Sequence, residues 1–359
     1  MSDASTVRML DRFVDEAPAP MFLASFFSRT TFHRSEFVEI DIERDDEDVA
    51  IVVTDITAGA RLNESNQYTN KRFKPPVFKE EFALNIWETF RRMPGATPFA
   101  DPEFNRAATD ETFSGIAKMG RKIRRSIEKM VSDILQTGIV TLTDADGNAL
   151  YTLDFQQKDN HRATAAVTWA ADGSTGSPLT DLDLLGDVVR KHGRRNPDTL
   201  VFGQEALRRF FASTQVRNQL DNRRIDRGLI QTPSREREGG KYHGTIAIGN
   251  RAYEIWLYDG YFRDPATGEL TDYIGTENVV MLSSSARLDT AYGACPILEP
   301  DQRMLSYIPS DLQSDALGLA LTVNPYKSKD NTALMVQLMS RPLPIPVAID
   351  TFGVLDITA

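Results

Sequence analysis

The chain has 359 residues, with 41 Lys and Arg set against 51 Asp and Glu, a formal net charge of −10. That length suggests about two domains at roughly 150 residues each, and a core large enough to need no disulfide or metal staple. Apolar residues make up 41% and charged residues 26%, which excludes a disordered chain, and no run approaches the ~18 uninterrupted apolar residues of a membrane span. Cys295 is the only cysteine, so an intramolecular disulfide and a thiolate zinc cluster are both excluded. The four histidines (His33, His161, His192 and His243) show no pair at i, i+4 spacing. The acidic excess argues against a dedicated nucleic-acid reader, which needs a basic face, but not against a container whose DNA is neutralised by mobile counterions. Met1 to Asp11 lacks a basic patch followed by an apolar core, so a cytoplasmic origin is expected.

In chain order, residues 1–20 read as an arm of Ser, Asp, Ala and Pro, followed by an apolar cluster from Met21 to Phe27 that must be buried. Phe37 to Ile42 alternates Val38, Ile40 and Ile42 with Glu39 and Asp41, a half-buried strand, and Ala50 to Thr54 reads as a second. Thr57 to Phe78 has little periodicity, and a stretch of that length is expected to be a projecting hairpin. Asp101 and Pro102 form a helix start, as N-cap and first helical residue. Ile116, Met119, Ile123, Ile127, Met130, Val131, Ile134 and Leu135 then recur at three- and four-residue spacing, with Lys118, Arg121, Lys122, Arg124, Arg125 and Lys129 between them. Gly138 marks the stop, giving a helix of roughly 50 Å, though Gly115 and Gly120 are weak points within it.

Ile139 to Leu142 and Leu150 to Phe155 flank the turn Asp144–Gly147, a hairpin signal. The Gly/Ser-rich stretch 173–178 reads as a linker and the best domain boundary. Beyond it come a helix (Asp181 to His192), a strand (Thr199 to Phe202) and a helix (Gln204 to Ser213). A hairpin then joins Gly244 to Ile248 and Ala252 to Tyr258 across Gly249 and Asn250, and Val279 to Ser283 is a buried strand. Thr332 to Met339 and Val354 to Ile357 are the last strands expected. The fold class is α+β, with one long helix and several antiparallel strands.

Catalytic constellations are scarce. Asp144 and Asp146 suggest a calcium loop only until position twelve, where Phe155 stands in place of a bidentate Glu. No phosphate-binding glycine loop, nucleophile elbow or H-E-x-x-H motif is present. Cys295 with His243 could form a nucleophile and base, but the surrounding apolar run favours a buried structural thiol. The run Arg121, Lys122, Arg124, Arg125 either touches DNA or is the solvated or partner-facing side of the helix. Arg217, Arg223, Arg224 and Arg227, interleaved with Asp221 and Asp226, read as a mobile polar segment suited to intersubunit salt bridges. What the chain offers instead is geometry: an arm, a projecting loop, a long helix and a second lobe. Ordering an arm and a loop costs about 1 to 2 kcal/mol per residue, which docking on neighbouring copies would offset.

These segments resemble, in order and over most of the length, the major capsid protein E family of tailed bacteriophages, the lambda-type head proteins. The resemblance is carried by Phe22-Leu-Ala-Ser-Phe-Phe-Ser28, Val38-Glu-Ile-Asp-Ile42, Phe73-Lys-Pro-Pro-Val77, the Asp101-Pro102 helix start, Leu200-Val-Phe-Gly203 and Tyr253-Glu-Ile-Trp-Leu-Tyr-Asp-Gly-Tyr261. Its strongest segments are Asn278-Val-Val-Met-Leu282 with Tyr292-Gly-Ala-Cys295, and Gln337-Leu-Met-Ser-Arg-Pro-Leu-Pro344 closes it. Ser283-Ser-Ser285 departs from the pattern, since many relatives carry a glycine there.

The resemblance implies an HK97-like capsid fold. Residues 1–30 would be the N-terminal arm and 31–100 peripheral-domain strands with an extended loop at about 43–80. Residues 101–178 would be peripheral domain with the spine helix, 179–290 the axial domain, and 291–359 would return to the peripheral domain. It implies a major head protein, not an enzyme and with no cofactor, forming hexamers and pentamers of an icosahedral virion shell around double-stranded DNA. Portal, scaffold and decoration proteins would be its other partners, with assembly in the host bacterial cytoplasm and no membrane. Candidate intersubunit contacts are Arg61, Lys71, Arg72 and Lys74 against Asp45, Asp46 and Glu47 of a neighbour, with Phe73 and Phe78 as apolar anchors. The alternatives are an encapsulin-like shell housing a cargo enzyme, and a soluble enzyme using Cys295 or a carboxylate pair.

Overall fold

The computed structural model describes residues 21–35, 37–43, 68–85, 104–143, 148–222, 236–237, 239–298, 304–307, 321–328 and 333–358. The arm 1–20, the expected strand Ala50 to Thr54 and the turn Asp144–Gly147 lie outside them.

Helix α1 spans Phe104–Thr137, 34 residues and about 50 Å. The eight apolar residues of its expected stripe are all buried, because a 3.6-residue period keeps them on one face. Gly115 does not break it. A Cβ there would lie 2.8 Å from the Phe82 ring, so the missing side chain is what lets the strand Phe78–Asn85 lie against the helix. Gly138, with φ +70°, ends it. Arg124 departs from the expectation of a solvated basic side: it is buried, whereas Lys122 reaches across to Glu80 at 2.7 Å and Lys129 to Asp133 at 2.9 Å.

Among the described residues the largest sheet has seven strands, in the order Arg162–Thr164, Phe352–Asp356, Asn278–Leu282, Thr199–Phe202, Arg251–Tyr258, Gly240–Ile248, Glu236–Arg237. Its central strands are covered on both faces. Val201, Val280 and Leu282 join the core around α1, whereas Leu200, Phe202, Val279 and Met281 join a second core under helices α2 (Pro178–Gly193) and α3 (Gln204–Ala212). Burial on both faces is why these strands read as continuous apolar runs without alternation. A three-stranded sheet joins Thr322–Lys327, Ala333–Ser340 and Phe78–Asn85 beside α1, and another joins Arg29–Phe32, Leu288–Tyr292 and Pro342–Pro346.

The stretch 173–178 is a packed turn and not a loose linker: Gly173 (φ +75°) lies so close to the Ala212 carbonyl that a Cβ there would sit 2.0 Å from its oxygen. Helix α4, Thr214–Asn222, occupies the start of the segment read as mobile. It forms because Val216 is fully buried under it, while residues 223–235 lie outside the described ones. Strands Val38–Glu43 and Tyr68–Phe73 pair antiparallel, Val38 opposite Phe73 and Glu43 opposite Tyr68, and within the described residues no third strand joins them.

Candidate assembly interface

The two-stranded ribbon is held at its root. Val38 is fully buried and Phe73 is 5% exposed, its ring 5.6 Å from that of Phe155. Phe73 therefore anchors the hairpin to its own subunit, leaving little surface for a neighbour. Phe78 is half-buried against the same core. Arg72 and Lys74 are exposed, and the Arg72 guanidinium carbon lies 5.0 Å from the centre of the Phe37 ring. Lys71 stands opposite Ile40 in the ribbon. Asp45, Asp46, Glu47 and Arg61 lie outside the described residues.

The segment after the arm is clamped to α1 by a residue that the periodicity reading passed over. Glu128 is 1% exposed, and its carboxylate accepts from the Leu23 N–H at 2.8 Å, the Ala24 N–H at 2.9 Å and the Tyr258 hydroxyl at 2.8 Å. Burial first, and then the Glu128 charge, push the Tyr258 phenol far up, so it remains a donor. Phe22 closes the joint, with its ring centroid 5.3 Å from those of Trp256, Tyr258 and Phe26. The signal was present: Glu128 falls three residues before Val131 and seven before Leu135, on the apolar stripe.

A second joint brings together two histidines 31 residues apart. His161 is fully buried, with Nδ1 2.8 Å from the Phe352 carbonyl and Nε2 3.0 Å from His192 Nδ1. A carbonyl only accepts, so His161 Nδ1 carries its proton and Nε2 accepts from His192. Asp350 stands 3.9 Å from His161 Nε2, with Lys158 3.8 Å from the other Asp350 oxygen. Burial holds the His161 pKa below its usual 6.5, outweighing the carbonyl and Asp350, which act the other way. A base that is harder to protonate folded than unfolded is neutral in both states at high pH and costs stability as acid charges it in the unfolded chain first. The melting temperature is therefore expected to fall as pH drops below 6.5, and that acid slope to shrink in His161→Asn, as read by calorimetry from pH 8 to 5. An unchanged slope would refute the assignment.

The nucleophile reading fails on geometry. Cys295 is 3% exposed and burial raises its thiol pKa, while His243 is exposed on a strand of a different sheet. Among the described residues, no group of three or more His, Cys, Asp or Glu side chains is placed to hold a metal ion, and no helix is long and apolar enough to cross a membrane.

Comparison with known proteins agrees with this architecture. A prophage capsid-protein candidate from E. coli CFT073 superposes with a TM-score of 0.65 at 17% identity, covering 100% of this chain and 99% of that one. A phage-related protein from Bordetella bronchiseptica RB50 superposes at 0.50 with 9% identity, covering 98% and 96%. An encapsulin from Synechococcus elongatus PCC 7942 gives 0.43 at 11% identity, covering 100% and 96%. Among curated proteins none matches the sequence. The fold is HK97-like, the fold of phage capsid subunits. With a sequence model that matches residues 6–353, nearly the whole of the chain, the protein belongs to the phage major capsid protein E family.

Proposed function

We propose that this phage major capsid protein closes head to tail into hexamers and pentamers that tile an icosahedral virion shell around double-stranded DNA. The observation that carries the reading is the ribbon of Val38–Glu43 and Tyr68–Phe73, rooted in the core at Val38 and Phe73 and joined by no third strand among the described residues. An isolated two-stranded ribbon is marginal in water, so it needs a surface to lie on, and heterologous contacts repeated around an axis supply one. On this reading 1–30 is the arm, 43–80 the extended loop, 179–290 the axial lobe, and the remainder the peripheral lobe. Arg61, Lys71, Arg72 and Lys74 pair with Asp45, Asp46 and Glu47 of the neighbour. Portal, scaffold and decoration proteins are the further partners, and assembly takes place in the host cytoplasm.

Negative-stain electron microscopy of the full chain expressed alone tests this. Rings of five or six, or closed shells, are the expected result, with Arg72→Glu/Lys74→Glu reducing them. Compact monomers at every concentration would overturn it, and shells that hold a protein cargo in place of nucleic acid would replace it with an encapsulin-like role.

A further inference from the structure

The strand register separates two oppositely charged regions of the seven-stranded sheet. Thr199, Leu282 and Phe352 share one end, since Thr199 pairs with Leu282 and Leu282 with Phe352. Phe202, Tyr258, Asn278 and Asp356 lie toward the other end, because Thr199–Phe202 runs parallel to Arg251–Tyr258 and antiparallel to Asn278–Leu282.

At the first end, Lys191, Arg194 and Arg195 follow the buried part of α2 and are all exposed, whereas Arg190, also exposed, stands 3.9 Å from Asp187 one turn earlier. Arg195 donates to the Ser285 carbonyl, just past Leu282, which ties this corner to that end of the sheet. Beside it lies an open polar cleft of about 440 Å³, lined by residues that include Asp183, Asp187, Asn196 and Arg251. Arg251 bonds both carboxylates, Asp183 at 3.2 Å and Asp187 more closely.

At the second end, a hairpin of Tyr261–Arg263 and Leu270–Asp272 leaves the sheet after Tyr258 and returns before Asn278. Tyr261 pairs with Asp272 and Arg263 with Leu270, so these four side chains share one face. Phe262 lies on the other, its ring 5.1 Å from Tyr273 and 5.9 Å from the Lys129 ammonium, where it holds the hairpin against α1. The outward face leaves Tyr261 62% and Leu270 63% exposed, and the hairpin carries Asp264, Glu269 and Asp272 against the single Arg263.

Two exposed apolar anchors beside Asp272, on a hairpin whose turn adds Asp264 and Glu269, and three cations at the other end form complementary surfaces that cannot meet within one subunit. Resting on the shell reading above, we infer that the outward face of the 261–272 hairpin docks on the 190–195 corner of a second copy of this chain. Tyr261 and Leu270 supply the buried area, the hairpin carboxylates face Lys191, Arg194 and Arg195, and Arg263 faces Asp183 and Asp187 at the cleft. The contact is heterologous, the kind that closes into a ring, and its charges set register and association rate more than raw affinity.

The test is charge reversal in the full chain, read by sedimentation velocity and electron microscopy at 0.05 and about 0.5 M salt, where screening shortens the Debye length to a few ångströms. Glu269→Lys/Asp272→Lys and Arg194→Glu/Arg195→Glu are each expected to raise the concentration needed for assembly about tenfold or more, the effect of losing roughly one close charge pair. Combining all four reversals restores assembly, and Tyr261→Ser/Leu270→Ser lowers it at both salt concentrations. Circular dichroism of each variant keeps misfolding apart from lost docking, because all six positions are exposed. Wild-type assemblies indifferent to both reversals, or a fourfold variant no better than its parents, would overturn the surface assigned here. A wild-type chain that never assembles would overturn the shell reading itself, and this surface with it.

Discussion

Glu128→Ala is expected to lower the unfolding free energy by about 3 kcal/mol or more, the summed cost of leaving several buried donors without an acceptor. The replacement removes the acceptor of three donors at once, the Leu23 and Ala24 amides and the Tyr258 hydroxyl, all held within 2.9 Å. Two of these donors cannot turn to water, because Leu23 is fully buried and Tyr258 is 4% exposed, whereas Ala24 is half-buried; a buried donor without a partner costs about 1–3 kcal/mol. Glu128→Gln keeps one acceptor oxygen but turns an amide N–H₂ toward donors, so its loss should be intermediate. Denaturant unfolding gives the magnitudes, and limited proteolysis locates the effect: cleavage at Phe26 or Phe27 should rise before the rest of the chain opens. A melting curve unchanged in Glu128→Ala would mean that the clamp contributes nothing.

Gly203→Ala is expected to cost about 3 kcal/mol or more, a large value for adding one methyl group. Its φ of −71° suits any residue, so the penalty is not one of backbone conformation. It is space: a Cβ would lie 2.3 Å from the Gly275 carbonyl oxygen and 2.7 Å from that of Thr276. Neither neighbour can yield cheaply, since the Thr276 oxygen accepts from the Ala206 N–H at 2.9 Å and the Gly203 N–H donates to the Asn278 carbonyl at 3.0 Å. The loop 275–278 thus crosses directly over the start of α3. Gly268→Ala is the control. Gly268 has φ +72° with open space around its Cβ position, so only backbone strain of about 1 kcal/mol is expected. Equal melting temperatures for the two variants would contradict the crossing.

Elements whose signal is local were legible in the sequence. Helix α1 follows from eight apolar residues at a 3.6 period and ends at the expected glycine, and Thr199–Phe202 has the expected bounds. The hairpin across Gly249 and Asn250 starts earlier on both sides, at Gly240 where Gly244 was expected and at Arg251 where Ala252 was expected. Membership of the capsid family was legible too, because it rests on the order of segments along the chain, which a sequence carries directly. Features that depend on partners far apart in sequence emerged only on folding. Edge strands such as Pro342–Pro346 have no periodicity of their own and form because Leu288–Tyr292 lies beside them. Arg124 is a cation in a run of cations, and only the packing of α1 buries it. Phe73 belongs to an apolar-poor loop by sequence and to the core by contact with Phe155. His161 and His192 meet across 31 residues, and the acidic hairpin and the basic corner fall at opposite ends of one sheet because of a strand register that no local pattern encodes. Periodicity reports which face of an element is buried; what that face meets is set by pairings whose loop-closure entropy is offset only when the whole chain folds.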